Sequence, residues 1–219
     1  MDLRRIALPV IMLVTDRKLA GGERSLVTAV ADAVSSGVNL VQMREKDLSA
    51  DQQIELGERL NRVVGAGALF FVNGSIEVAQ AVGADGLQLS EGSIDVSVAR
   101  ARMAGGMLIG RSVHDMKGAR TAVSQGADLL VVGTVYESRS HRGIAPAGVD
   151  LIDRLSRPNV VPVVGIGGIT STNATAVIEA GGSGVAVISS ILSAGSPGDA
   201  AADLVGNVMQ AWSARSLPE

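Results

Sequence analysis

A single (β/α)8 TIM barrel spanning residues 1–219 is the fold this sequence predicts, on three observations. Short apolar runs alternate with amphipathic stretches eight times along the chain. The 219 residues shared among eight such units allow about 27 residues each, near the minimum for a strand, a helix and their turns. The segments SSGVNLVQM, AVGADGLQL, SQGADLLVV and EAGGSGVAV echo one another, each with a glycine just ahead of an apolar run. In that echo Gly37, Gly83, Gly126 and Gly182 are the expected left-handed caps ending the helices before strands 2, 4, 6 and 8. Neither a linker nor a composition shift divides the chain.

The elements follow in order. The start, MDLRRIALPVIMLVTD, carries two arginines before an apolar run too short for a signal segment with a cleavage site. It reads as a first strand over 11–14. Further apolar runs predict strands over 40–43, 69–72, 86–89, 108–110, 129–132, 161–164 and 185–188. Amphipathic spacing predicts helices over 25–35, 50–64, 76–81, 96–103, 116–124, 150–155, 173–180 and 200–212.

Composition narrows the function classes. Hydrophobic residues are 47% and charged residues 19%, which excludes a disordered chain. Aromatics are only 2%, so the core must be built from Val, Ile, Leu and Ala, which suit parallel strands covered by helices. A net charge of −3, with no basic stripe and almost no aromatic platform, argues against nucleic-acid binding. The absence of cysteine excludes disulfides, thiolate metal sites and thiol catalysis, and fits a cytoplasmic location. No apolar run approaches the roughly 20 residues of a membrane span.

Barrel enzymes carry their chemistry on the loops at the C-terminal ends of the strands. The stretch VPVVGIGGITSTN, 161–173, combines a β-branched run, the glycines Gly165, Gly167 and Gly168, and the hydroxyls of Thr170, Ser171 and Thr172 before a helix. Glycines admit close backbone approach, and first-turn N–H groups attract anions. Alone this is equally an ordinary turn. Ser189 and Ser190 after strand 8 tip the reading to phosphate binding, because loops 7 and 8 are where barrels commonly hold a phosphate. His114 ends strand 5 and suits proton transfer near neutrality, or else satisfies a local backbone group. His141 lies in the long loop after strand 6, a lid by its length, beside Arg139 and Arg142, where a solvated side chain is the default. Gln42, Arg44 and Lys46 at alternate positions leaving strand 2 would converge on an anion if they face the mouth. With Glu45 and Asp47 beside them, they are otherwise a surface charge cluster. Glu77, Glu91 and Asp95 are the acids nearest the ends of strands 3 and 4. No metal-ligand cluster, dinucleotide fingerprint or P-loop is evident, so neither metal nor cofactor is expected.

Taken together, LVTD at 13–16, VQMREK at 41–46, the Asn after strand 3, GADGLQL at 83–89, IGRSVH at 109–114, GADLLVVGTVY at 126–136 and VVGIGGIT at 163–170 resemble the thiamine phosphate synthase superfamily. The resemblance implies a (β/α)8 barrel, small-molecule phosphate ligands and a homodimer or larger assembly. The synthase pattern has Asn-Asp after strand 3 and a second Asp after strand 4, together holding magnesium against a pyrimidine pyrophosphate. Here those positions read Gly74 and Ser93. Its two threonines and lysine after strand 6 correspond to Ser138, Ser140 and His141. These departures, with QLSEGS and GRSVH, look like the paralogous thiazole tautomerase. That likeness implies an isomerase turning a carboxythiazole ethyl phosphate into its aromatic tautomer. His114 would be the acid/base residue, Gln42, Arg44, Lys46, Asn73, Ser138 and Ser140 the substrate contacts, and Gly165, Gly167, Gly168, Ser189 and Ser190 the phosphate site. The alternatives are a thiamine phosphate synthase, favoured by the retained Gln42, Arg44 and Lys46, and a non-catalytic thiazole-phosphate-binding or regulatory paralogue.

Overall fold

A computed structural model describes residues 6–103, 106–138, 146–157 and 161–215. Its strands are β1 (Val10–Val14), β2 (Leu40–Met43), β3 (Leu69–Asn73), β4 (Gly86–Leu89), β5 (Leu108–Val113), β6 (Leu129–Val132), β7 (Val163–Ile166) and β8 (Gly184–Val187). They pair in parallel in chain order, and β8 returns to β1, closing the barrel. The outer helices are α1 (Glu23–Ser35), α2 (Ala50–Val64), α3 (Ile76–Ala81), α4 (Val96–Arg102), α5 (Met116–Ser124), α6 (Gly148–Ser156), α7 (Ala174–Glu179), α8 (Ser189–Leu192) and α9 (Pro197–Arg215). None of these helices is long and apolar enough to cross a membrane.

Period-two alternation along each strand divides the core into two layers. Val10, Met12, Val14, Leu40, Phe71, Leu129, Val131 and Val164 fill the barrel interior. Their alternates, among them Ile11, Leu13, Val41, Phe70, Val72 and Leu87, meet the helices. With so few aromatics, the one ring in the interior has room only because its neighbours lack side chains. A Cβ on Gly86 would lie 2.4 Å from the Phe71 ring, and one on Gly110 would lie 2.0 Å from Gln88 Oε1.

Sequence and structure differ at informative places. Strand β7 begins at Val163 rather than Val161, because Pro162 has no N–H to give the ladder and only its carbonyl is used, by Leu130 N at 2.9 Å. Strand β5 runs on to Val113, past the predicted end at Gly110, carrying Arg111 and Ser112 into the sheet against Leu130 and Val131. Gly37, Gly83 and Gly126 have the positive φ expected of helix caps, but before β8 that role falls to Gly181 (φ 92°), not Gly182. Gly182 is instead a close approach: a Cβ there would stand 2.6 Å from the Val177 carbonyl.

Candidate active site

At the C-terminal end of the barrel, loops after β1, β6, β7 and β8 enclose a cavity of about 670 Å³. Gly167, Gly168, Ser138, Ser189 and Ser190 line it, with Asp16, Leu19, Thr134 and Thr170 joining them. The hydroxyls of Ser138 and Ser190 are buried without a hydrogen-bond partner among the described residues. Orphaned buried hydroxyls are costly, and both of these stand in the cavity wall. Ser189 and Ser190 open α8, and first-turn N–H groups have no partner within a helix.

The glycine turn has a structural cause as well. The start of loop 6 runs alongside the end of β7, Val135 N donating to Ile166 O at 2.9 Å and Tyr136 N to Gly167 O at 3.0 Å. A Cβ on Gly167 would meet Thr134 at 2.8 Å, and one on Gly168 would meet the Glu137 carbonyl at 2.3 Å. Both glycines also have positive φ, 105° and 64°. The turn is locked by Asn173, which accepts from Thr170 N (2.8 Å) and donates to Gly168 O (3.0 Å). The hydroxyls ahead of α7 do not cap it: Thr170 and Thr172 bond each other instead. Tyr136, whose phenol burial pushes up, donates to Asn173 O at 3.2 Å. Gly165 is a correction to the expected phosphate turn. It sits inside β7, paired with Val132 and Val185. It is buried, and a Cβ there would meet Val177 of α7 at 2.9 Å.

The remaining expected residues stand on the β2–β5 side of the mouth. Gln42 is 4% exposed, with the inward parity of Leu40. Arg44 is half-buried just past the end of β2, and Lys46 is exposed in the following turn. Their strict alternation therefore stops at Met43. Asn73 Nδ2 donates to Gln88 O at 3.4 Å. His114 is the first residue beyond β5. Its Nδ1 contacts the Gly133 carbonyl, and its Nε2 lies 3.6 Å from Glu91 Oε2. Because a carbonyl only accepts, Nδ1 carries the proton, and in the neutral ring Nε2 is left as the base. Ser140 and His141 lie outside the described residues.

Several members of the site were not foreseen. Glu45, taken at most for a surface charge, is only 5% exposed. It accepts from Thr15 Oγ1 at 2.8 Å, Arg17 N at 3.0 Å and Arg17 Nη1 at 3.1 Å. Arg17 also grips Asp47, and these two carboxylates, Asp47 more strongly, hold its guanidinium well above its ordinary pKa. Gln88, 1% exposed, donates to Ser112 Oγ at 3.1 Å, and its Oε1 has no partner among the described residues. A polar residue at inward parity in the apolar strand GLQL was the available signal for it.

A family model described as thiamine monophosphate synthase matches residues 11–191. The chain belongs to that family. It is 42% identical over 205 residues to the thiamine-phosphate synthase of Haloarcula marismortui, covering 91% of this chain and 97% of that protein. The thiamine-phosphate synthase of Geobacillus kaustophilus is 39% identical over 83% of this chain and 85% of its own. Among solved structures, thiamine phosphate pyrophosphorylase from Pyrococcus furiosus superposes with a TM-score of 0.84 at 32% identity, over 92% of this chain and 96% of that one.

These similarities overturn the expected thiazole tautomerase. That expectation weighed two missing carboxylates and one histidine, whereas the likeness to proteins named as synthases runs over nearly the whole barrel. At the two positions where the synthase pattern places its magnesium-holding acids, this family member carries no carboxylate. Gly74 has no side chain, and Ser93 Oγ is turned to the Ser90 carbonyl at 2.6 Å. No group of three or more His, Cys, Asp or Glu suited to a metal occurs among the described residues. Arg111 instead reaches toward Ser93, donating to the carbonyls of Ile94 (2.7 Å) and Glu91 (2.8 Å) and placing a fixed cation there.

Proposed function

We propose that this protein is a thiamine-phosphate synthase, a transferase joining a hydroxymethylpyrimidine pyrophosphate to a thiazole phosphate. The observation that carries the reading is the 42% identity to a protein of that name over nine-tenths of the chain. The mouth of the barrel supports it by offering two separate anion sites. Gly167, Gly168, Ser138, Ser189 and Ser190 suit the phosphate of the thiazole. Arg44 and Lys46, whose side chains form no ion pair among the described residues, suit the pyrophosphate. In the transfer, the thiazole nitrogen attacks the methylene carbon of the pyrimidine. The C–N bond forms, the C–O bond breaks, and its electron pair leaves on the pyrophosphate. Charge growing on that leaving group is what fixed cations stabilise. Gln42 and Asn73 supply amides for the ring, and His114, when protonated, offers a further donor to the departing anion.

Because the carboxylates at positions 74 and 93 are missing, we assign this charge stabilisation to side chains rather than to a divalent ion. The test is chromatographic assay of purified protein with both substrates, with magnesium or with excess chelator. Thiamine phosphate is expected in both. Product only with magnesium would overturn the metal independence and leave the synthase standing. No product under either condition overturns the synthase. Retained thiazole phosphate binding in that case would favour a binding protein.

A further inference from the structure

We infer that Glu45, acting through Thr15, is a positioning residue that sets Arg44 and Lys46 for a pyrophosphate-class anion. The inference rests on the placement of that anion proposed above. A buried carboxylate between two cations at an anion site should, by charge alone, oppose binding, so its presence needs another cause. The hydrogen bonds supply one. Glu45 Oε1 accepts from Thr15 Oγ1 at 2.8 Å, and Thr15 Oγ1 in turn accepts from the backbone N–H of Arg44 at 2.9 Å. The hydroxyl thus spends its one proton on Glu45 and its lone pair on Arg44, fixing the backbone where β2 has already ended. Thr15 is completely buried, so no water competes for either bond.

The same carboxylate sorts the nearby cations. Arg17 binds Glu45 and Asp47 at once, with Nη1–Oε2 of 3.1 Å and Nη1–Oδ1 of 2.7 Å, and Lys18 is held by Asp47 at 2.7 Å. Two cations are thereby neutralised within loops 1 and 2. Arg44 and Lys46, flanking Glu45 in the chain, keep their charges for a ligand.

Charge and positioning predict opposite signs. The probe is inorganic pyrophosphate, titrated calorimetrically into the full-length protein and into Glu45→Gln, Thr15→Val and Thr15→Ser. Glu45→Gln removes a negative charge beside the site and would tighten binding if electrostatics alone mattered. Positioning predicts binding about tenfold weaker, the worth of one charge-assisted hydrogen bond. Thr15→Val keeps the buried volume and every charge but deletes the relay, and is expected to weaken binding to the same extent. Thr15→Ser restores the hydroxyl and is expected to bind nearly as wild type does, which a packing role would not allow. Tighter binding by Glu45→Gln, unchanged binding by Thr15→Val, or equal weakness of the Ser and Val variants each overturns the inference. Should Glu45→Gln fail to fold, the Thr15 pair decides alone. Wild-type protein that does not bind pyrophosphate overturns the placement of the anion and the positioning role with it. Wild-type binding with indifferent variants overturns only the latter.

Discussion

Replacing Gly168 by alanine tests whether the turn after β7 is shaped by loop 6. The residue has φ +64°, and its new Cβ would lie 2.3 Å from the Glu137 carbonyl and 2.8 Å from Tyr136 Cβ. The left-handed backbone costs about 1 kcal/mol with a Cβ present. The contact involves backbone rather than a flexible side-chain end, so relief requires displacing loop 6, about 1–3 kcal/mol on the scale of overpacking. The sum of about 2–4 kcal/mol lowers the melting temperature by roughly 4–16 °C in a chain of this size. Gly126→Ala is the control. It shares a positive φ, 92°, but a Cβ there meets nothing within 4 Å, so only the backbone cost of about 1 kcal/mol applies. Thermal unfolding of both variants is followed by circular dichroism, and thiazole phosphate affinity by calorimetry. Gly168→Ala should lose more stability and much of its affinity, because Ser138 belongs to the displaced loop. Equal losses in the two variants, or unimpaired ligand binding by Gly168→Ala, would refute this account of the turn.

Two more outcomes follow from the barrel and its rim. Gly86→Ala places a Cβ 2.4 Å from the Phe71 ring, a destabilisation of about 1–3 kcal/mol; Phe71→Leu should cost less in that background than in wild type, read as a coupling energy from urea unfolding. Asp47 is held well below its usual pKa, by Arg17 first and Lys18 second, so its stabilisation is complete above the unfolded carboxylate value of about 3.9 and is lost as pH falls through the folded one. Asp47→Asn should therefore flatten the acid limb of a pH–stability curve, and added salt should shrink the effect because the group is exposed; an acid limb identical to wild type would contradict the assignment.

The barrel itself was legible because its periodicity is local: 40–43, 86–89 and 129–132 coincide with observed strands. Legibility failed where a neighbour decided the outcome. Arg111 and Ser112 look like loop residues until β6 pairs with them. Gly165 and Gly167 look alike in GIGG, yet one packs on α7 and the other on loop 6. Helix α8, four residues long, is too short to show a period. At the site, the glycine turn and the serines that line the cavity were visible as motifs, but Glu45 and Gln88 were not. Their burial depends on which face of the barrel they take, and on partners about 30 and 24 residues away in the chain. The reaction was misjudged because two substituted loop positions were allowed to outweigh a likeness spread over the whole chain.

Closure of the ring through β8 and β1 also orders events in time. On the ribosome β1 emerges before the other strands of the barrel, and its apolar edge has β2 on one side but must wait for residues 184–187 on the other. Helix α9 then packs across α1, α7 and α8, sealing the seam. The serine-lined cavity draws on Asp16 near one end of the chain and Ser193 near the other. A nascent chain can therefore hold most of its helices and strands while still lacking that cavity. Ligand binding there reports a closed barrel, and the open β1 edge is the stretch a folding chain must shield in the meantime.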